Sequence, residues 1–90
     1  MSVVTAIRER LAVLQPQRLE IADDSAQHAG HAGARDGGGH FRVSIVSAQF
    51  AGQTTLARHR LVHQALGEMM KREIHALSIV AKTPNESATG

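Results

Sequence analysis

The sequence predicts an α+β fold of two layers, in the order α-β-β-α-β, and three observations point to it. Val4, Ile7, Leu11 and Leu14 recur at helical spacing ahead of Pro16. Phe41 to Ser47 is a short run rich in β-branched residues, the pattern of a strand. An amphipathic stretch near 56–70 then separates that strand from a second alternating segment near 75–83, which is the layout of a strand–helix–strand crossover.

Each element has a local reason. In the first helix, near 3–14, Arg8, Glu9 and Arg10 fall between the apolar positions, and Ser2 or Thr5 supplies the N-cap. Arg18-Leu19-Glu20-Ile21-Ala22 alternates as a half-buried strand does. From Asp23 to Gly39 the pattern dissolves into glycine, alanine, His28 and His31, which predicts a long mobile loop with little to bury. The 41–47 strand is more continuously apolar than the first, so it is expected in the middle of the sheet. Phe50-Ala51-Gly52-Gln53 reads as a turn, and Thr54 or Thr55 caps the second helix. Its inner face is expected to carry Leu56, Val62, Leu66, Met69 and Met70. Leu77, Ile79 and Ala81 alternate with Ser78, Val80 and Lys82 in the last strand; Pro84 ends it, and Asn85 to Gly90 is expected to fray. The first two strands should pair antiparallel and the last two parallel, with both helices on one face. The expected core contains Ile7, Leu11, Leu19, Ile21, Val43, Ile45, Leu66, Leu77 and Ile79.

Composition bounds the function. Ninety residues make a single domain, taken as residues 1–86 with a flexible tail at 87–90. A chain of this length buries about 60–65% of its unfolded surface. It has six histidines and no cysteine, so no thiolate can act as nucleophile or metal ligand. That fits a reducing, cytoplasmic setting. The N-terminal segment lacks a continuous apolar run, so neither a signal peptide nor a membrane span is expected, and Glu9 argues against a transit peptide. A net charge of +2 does not by itself imply nucleic acid. There is no nucleophile–base pair, no carboxylate pair at fixed spacing and no phosphate loop, so the chain does not read as an enzyme.

The topology gathers histidines. His40 opens the second strand, and His75 opens a third strand that runs parallel to it. The loop bearing His28 and His31 enters at the same end. Converging imidazoles are metal-ligand chemistry, although the spacing matches neither a zinc finger nor a His-Glu-x-x-His helix. His59 and His63 stand one helical turn apart, a second pair of that kind or a solvated helix face.

The residues carry a resemblance. Leu19-Glu20-Ile21, His40-Phe41-Arg42-Val43, Ile45-Val46-Ser47, Phe50-Ala51-Gly52, Arg58-His59-Arg60-Leu61-Val62, His75-Ala76-Leu77 and Thr83-Pro84 together resemble the BolA family, over about residues 3 to 86. The resemblance implies an α-β-β-α-β fold similar to type II KH domains. It also implies a partnership with monothiol glutaredoxins in which the two proteins share a [2Fe–2S] cluster. On the glutaredoxin side the ligands would be a cysteine and a glutathione thiolate. Here they would be His75, from the His-Ala-Leu motif, and a loop residue that maps best to His28, with His31 and then His40 as competitors. The isolated chain would hold no cofactor and would be a monomer, at most a weak homodimer, with no membrane partner.

The alternative implied by the same resemblance is a DNA-binding transcriptional regulator of stress response and cell morphology. Arg58, His59, Arg60, Lys71 and Arg72 would form a basic patch around the second helix, for nucleic acid or for a protein partner. The Gly-x-x-Gly clamp of KH domains is absent, and Phe41 and Phe50 are the only aromatics available to stack bases. Docking of a protein partner is therefore the favoured use of that helix.

Overall fold

The computed structural model of the chain describes residues 2–24 and 39–89. The chain runs α1 (Val3–Leu11), β1 (Arg18–Asp23), β2 (Gly39–Val46), α2 (Thr55–Leu66), β3 (Ile74–Lys82) and α3 (Pro84–Thr89). Short 3₁₀ turns follow α1 (Ala12–Leu14), β2 (Ala48–Phe50) and α2 (Gly67–Lys71). The sheet order is β1-β2-β3, with β2 central as expected. β1 pairs antiparallel to β2 through Leu19↔Ile45 and Ile21↔Val43. β3 pairs parallel to β2 through Phe41↔Leu77, Val43↔Ile79 and Ile45↔Ala81.

Those pairs define the covered face. Phe41, Val43 and Ile45 are buried, and Leu19, Ile21, Leu77, Ile79 and Ala81 pack against them as partly buried flanks. α1 and α2 close that face from one side with Ile7, Leu11, Val62 and Leu66, all fully buried. Arg42 and Ser44 alternate out of β2 to the opposite face, which stays open apart from a shallow depression of about 330 Å³ that also involves Glu20, Ser78 and Val80. The core continues beyond the expected residues to Leu14, Phe50, Met69 and Ile74.

Caps set the helix boundaries. The Ser2 hydroxyl accepts from the Thr5 N–H at 3.0 Å, and the Thr54 hydroxyl accepts from the Ala57 N–H at 3.1 Å. Each satisfies one of the amide groups a helix start leaves open. Gly67, at φ +58°, turns the chain out of α2 in a conformation that side-chain-bearing residues disfavour. Ser47 is the fully buried polar residue among the described residues: its hydroxyl donates to the Leu14 carbonyl at 2.6 Å and accepts from the Gln49 N–H at 3.1 Å. It ties the end of the first helical segment to the end of β2.

Four expectations are corrected. Leu56 lies off the inner face of α2 and is 60% exposed, because it sits six residues from Val62, which is not a helical repeat. Phe50, expected in a turn, is fully buried in the core. The residues after Pro84, expected to fray, form α3. Thr83 and Glu86 make reciprocal hydrogen bonds, the Thr83 N–H donating to the Glu86 carboxylate at 2.9 Å and the Glu86 N–H donating to the Thr83 hydroxyl at 3.3 Å, with Pro84 at the first helical position. Arg58, expected on an open basic patch, is an internal residue, as described below. The long-loop expectation falls largely on residues 25–38, outside the described residues.

Candidate functional site: a histidine pair at the sheet end

One irregularity in the sheet builds the site. Gly39 pairs with Ile74, but the next residue, His40, pairs with Ala76, so β3 carries one extra residue at that step, His75. This is a β-bulge, a device that re-aims side chains. Ile74 and Leu77 both serve the core, while His75 and Ala76 between them are exposed. The His75 ring is thereby set beside that of His40, with centroids 5.3 Å apart and planes inclined by 32°. His40 is half-buried.

The chain entering this end is pinned too. The Asp24 N–H donates to the His40 carbonyl at 2.7 Å, and the Asp24 carboxylate accepts from the Arg42 guanidinium at 2.6 Å. The last described residue before the 25–38 segment and the first after it, Gly39, therefore lie at the same end of the sheet as the two histidines. His40 and His75 come together as expected; His28 and His31 lie outside the described residues. Among the described residues no group of three or more histidine or acidic side chains could hold a metal ion.

The basic helix divides. The Arg58 side chain is 13% exposed and clamps three segments: its guanidinium donates to the Gln53 carbonyl, to the Ala81 carbonyl at 3.0 Å and, as a fork, to both oxygens of Glu86 at 2.6 and 3.1 Å. Hydrogen bonds from Arg58 and then from the Thr83 backbone hold the Glu86 carboxyl down at about 2, and the same carboxylate raises Arg58 further above its ordinary range. Arg60, Lys71 and Arg72 are exposed, and Arg72 has a loose ion pair with Glu68 at 3.9 Å. Lys71 and Arg72 follow the far end of α2, so the five residues do not form one patch. Asp24, Arg42 and Glu86 were not anticipated as parts of the site or its frame. A Thr-x-x-Glu spacing at Thr83–Glu86 was the available signal for the last.

A three-stranded mixed sheet backed by two helices, with a histidine-bearing end, defines a small two-layer α+β domain. The BolA-like protein family matches residues 11–86. The chain is 50% identical over 86 residues to SufE-like protein 1, chloroplastic/mitochondrial, of Arabidopsis thaliana, covering 89% of this chain and 23% of that protein. It is 48% identical to BolA-like protein 1 of Mus musculus, covering 91% and 58%. It is 38% identical to the DNA-binding transcriptional regulator BolA of Escherichia coli, covering 89% and 78%. It thus spans about a quarter of the first relative and somewhat over half of the second. The solved structure of BolA1 from Arabidopsis thaliana superposes with a TM-score of 0.82 at 46% identity, covering 96% of each chain. The chain belongs to the BolA family. Among the described residues no helix is long and apolar enough to cross a membrane.

Proposed function

We propose that this chain is a BolA-type adaptor that pairs with a monothiol glutaredoxin and shares a [2Fe–2S] cluster with it, in cluster trafficking, assembly or iron sensing. The observation that carries the reading is the placement of His75: exposed, on a bulge, at the sheet end where the 25–38 segment leaves and returns. His75 is the rigid ligand and His28 the loop ligand, with His31 as its competitor. The donor set fits the group. A cysteine-free chain offers nitrogen ligands only, and two imidazoles on one iron raise a cluster's potential relative to four thiolates. Two histidines do not complete a tetrahedral iron pair, so the remaining thiolate ligands come from the partner, a cysteine and a glutathione.

The fold's part is positional. The bulge holds His75 outward while Ile74 and Leu77 keep the strand on the core, so the ring is presented without loosening the sheet. The SufE-like name of one relative suits the same iron–sulfur setting. The cysteine-free composition suits the cytoplasmic setting expected above, whereas the names of two Arabidopsis relatives place those proteins in organelles. Mixing the chain with a monothiol glutaredoxin, iron, sulfide and glutathione tests the proposal. A visible absorption band that requires both proteins and differs from that of the glutaredoxin alone is the expected result.

The second reading, a DNA-binding regulator, is favoured by the name of the Escherichia coli relative and by exposed Arg60, Lys71 and Arg72. It requires promoter binding that weakens steeply with salt as phosphate contacts release counterions.

A further inference from the structure

A second pair of histidines lies away from the sheet end. His59 and His63 both belong to α2 and stand four residues apart, so their side chains rise from the same side of the helix, with Cβ atoms about 5–6 Å apart. His63 is exposed and His59 half-buried. Neither ring has a hydrogen bond, an ion pair or a ring contact among the described residues. Arg58, the residue before His59, is neutralised by Glu86, and Arg60, three residues before His63, is an exposed long side chain on the flank of the pair. His63 stands in the last turn of α2, where the helix carries partial negative charge and favours a bound cation.

We propose that His59 and His63 form a bidentate surface site for a borderline divalent cation, Cu²⁺ in preference to Ni²⁺ or Zn²⁺. Two imidazoles one turn apart on a preformed helix chelate such ions, and their order of affinity follows the general order for nitrogen ligands. Water fills the remaining positions, which leaves them open to a donor from a second molecule. The site is independent of the cluster proposal, because α2 and the β3 bulge are different elements and share no ligand.

The test uses the full chain. Cu²⁺, added in substoichiometric amounts, broadens the NMR signals of nearby ring protons. Broadening at His59 and His63 together is the expected result, and broadening confined to other histidines would overturn the site. A second measurement uses the exchange variant H63Q/Q64H, which keeps the composition but sets the rings five residues apart, beyond chelation. In a background of H28N/H31N/H40N/H75N, Zn²⁺ affinity should fall roughly tenfold or more on that exchange. Unchanged affinity with an unchanged amide spectrum would refute chelation. If the exchange variant fails to fold, the Cu²⁺ broadening pattern in the unaltered chain still decides the proposal.

Discussion

Replacing His75 with alanine separates site from scaffold. The residue sits between two core positions, yet its own side chain is exposed. Its removal deletes the ring contact with His40 at 5.3 Å and little else. An exposed substitution changes stability by about 0.5 kcal/mol, and a tilted ring pair adds a comparable amount, so the total cost is under about 1 kcal/mol. For a domain of this size that lowers Tm by no more than about 4–8 °C. Ile74→Ala, one residue earlier, is the contrast: Ile74 is 2% exposed, and its truncation costs about 2–5 kcal/mol. Thermal unfolding of the two variants should therefore differ widely. In the mixture with glutaredoxin, iron, sulfide and glutathione, His75→Ala should lose the shared-cluster band, while His40→Ala should change it less. A His75→Ala protein that keeps its fold, the same band and the same cluster stability would refute the assignment of His75.

Glu86→Gln should remove the charged partner of Arg58 and speed amide exchange in α3; exchange as slow as in the parent would show that the clamp contributes nothing. The same pair sets a pH dependence. Because the Glu86 carboxyl is depressed to about 2, its contribution is complete above the ordinary value of 4.5 and is lost as pH falls from there through about 2. That acid-induced loosening of α3 should be missing from Glu86→Gln, as amide exchange across this range would report. Ser47→Ala leaves the Leu14 carbonyl and the Gln49 N–H without their buried partner and should cost about 1–3 kcal/mol, measured by urea unfolding. Arg60→Ala should weaken glutaredoxin binding more than DNA binding at physiological salt; the reverse ranking would favour the regulator reading. Arg60 is the cleaner choice for that comparison, because changing Arg58 also disrupts the clamp.

Element order and strand direction are legible in the sequence because period and length determine them. Phe41 to Ser47 reads as a strand from its length and β-branched content, and a helical crossover between two strands sets them parallel. What the sequence hides is where polar side chains go. Arg58 reads as a solvent-facing charge, yet it stands four residues before Val62 and eight before Leu66, on the inner stripe of α2, so the spacing already placed it inward. Leu56 errs the other way: at 100° per residue it lies about 120° round the helix from Val62. Phe50 reads as a turn residue from its neighbours, yet it is one of only two phenylalanines in a chain without tyrosine or tryptophan, and burial claims it for the core. The meeting of His40 with His75 follows from topology. The bulge that aims His75 does not, because nothing in Ile74-His75-Ala76-Leu77 distinguishes a bulged step from a regular one.

That bulge also explains how a small domain can present an exposed histidine on a core strand. In a regular parallel strand, residues two apart share a face, so core positions at Ile74 and Leu77 could not both be kept. The extra residue shifts the register by one, restores Leu77 to the covered face and places two successive side chains, His75 and Ala76, outside it. Ala76 is small, so the ring beside it meets no competing side chain from the next position. The backbone of β2 fixes the step from the other side through the Gly39↔Ile74 and His40↔Ala76 pairs, and the Gly39 N–H adds a bond to the Glu73 carbonyl at 2.9 Å. His75 is thus held by the sheet itself. Under the proposed function this rigidity suits a site completed by another molecule, because a partner's thiolates would supply what the strand end lacks.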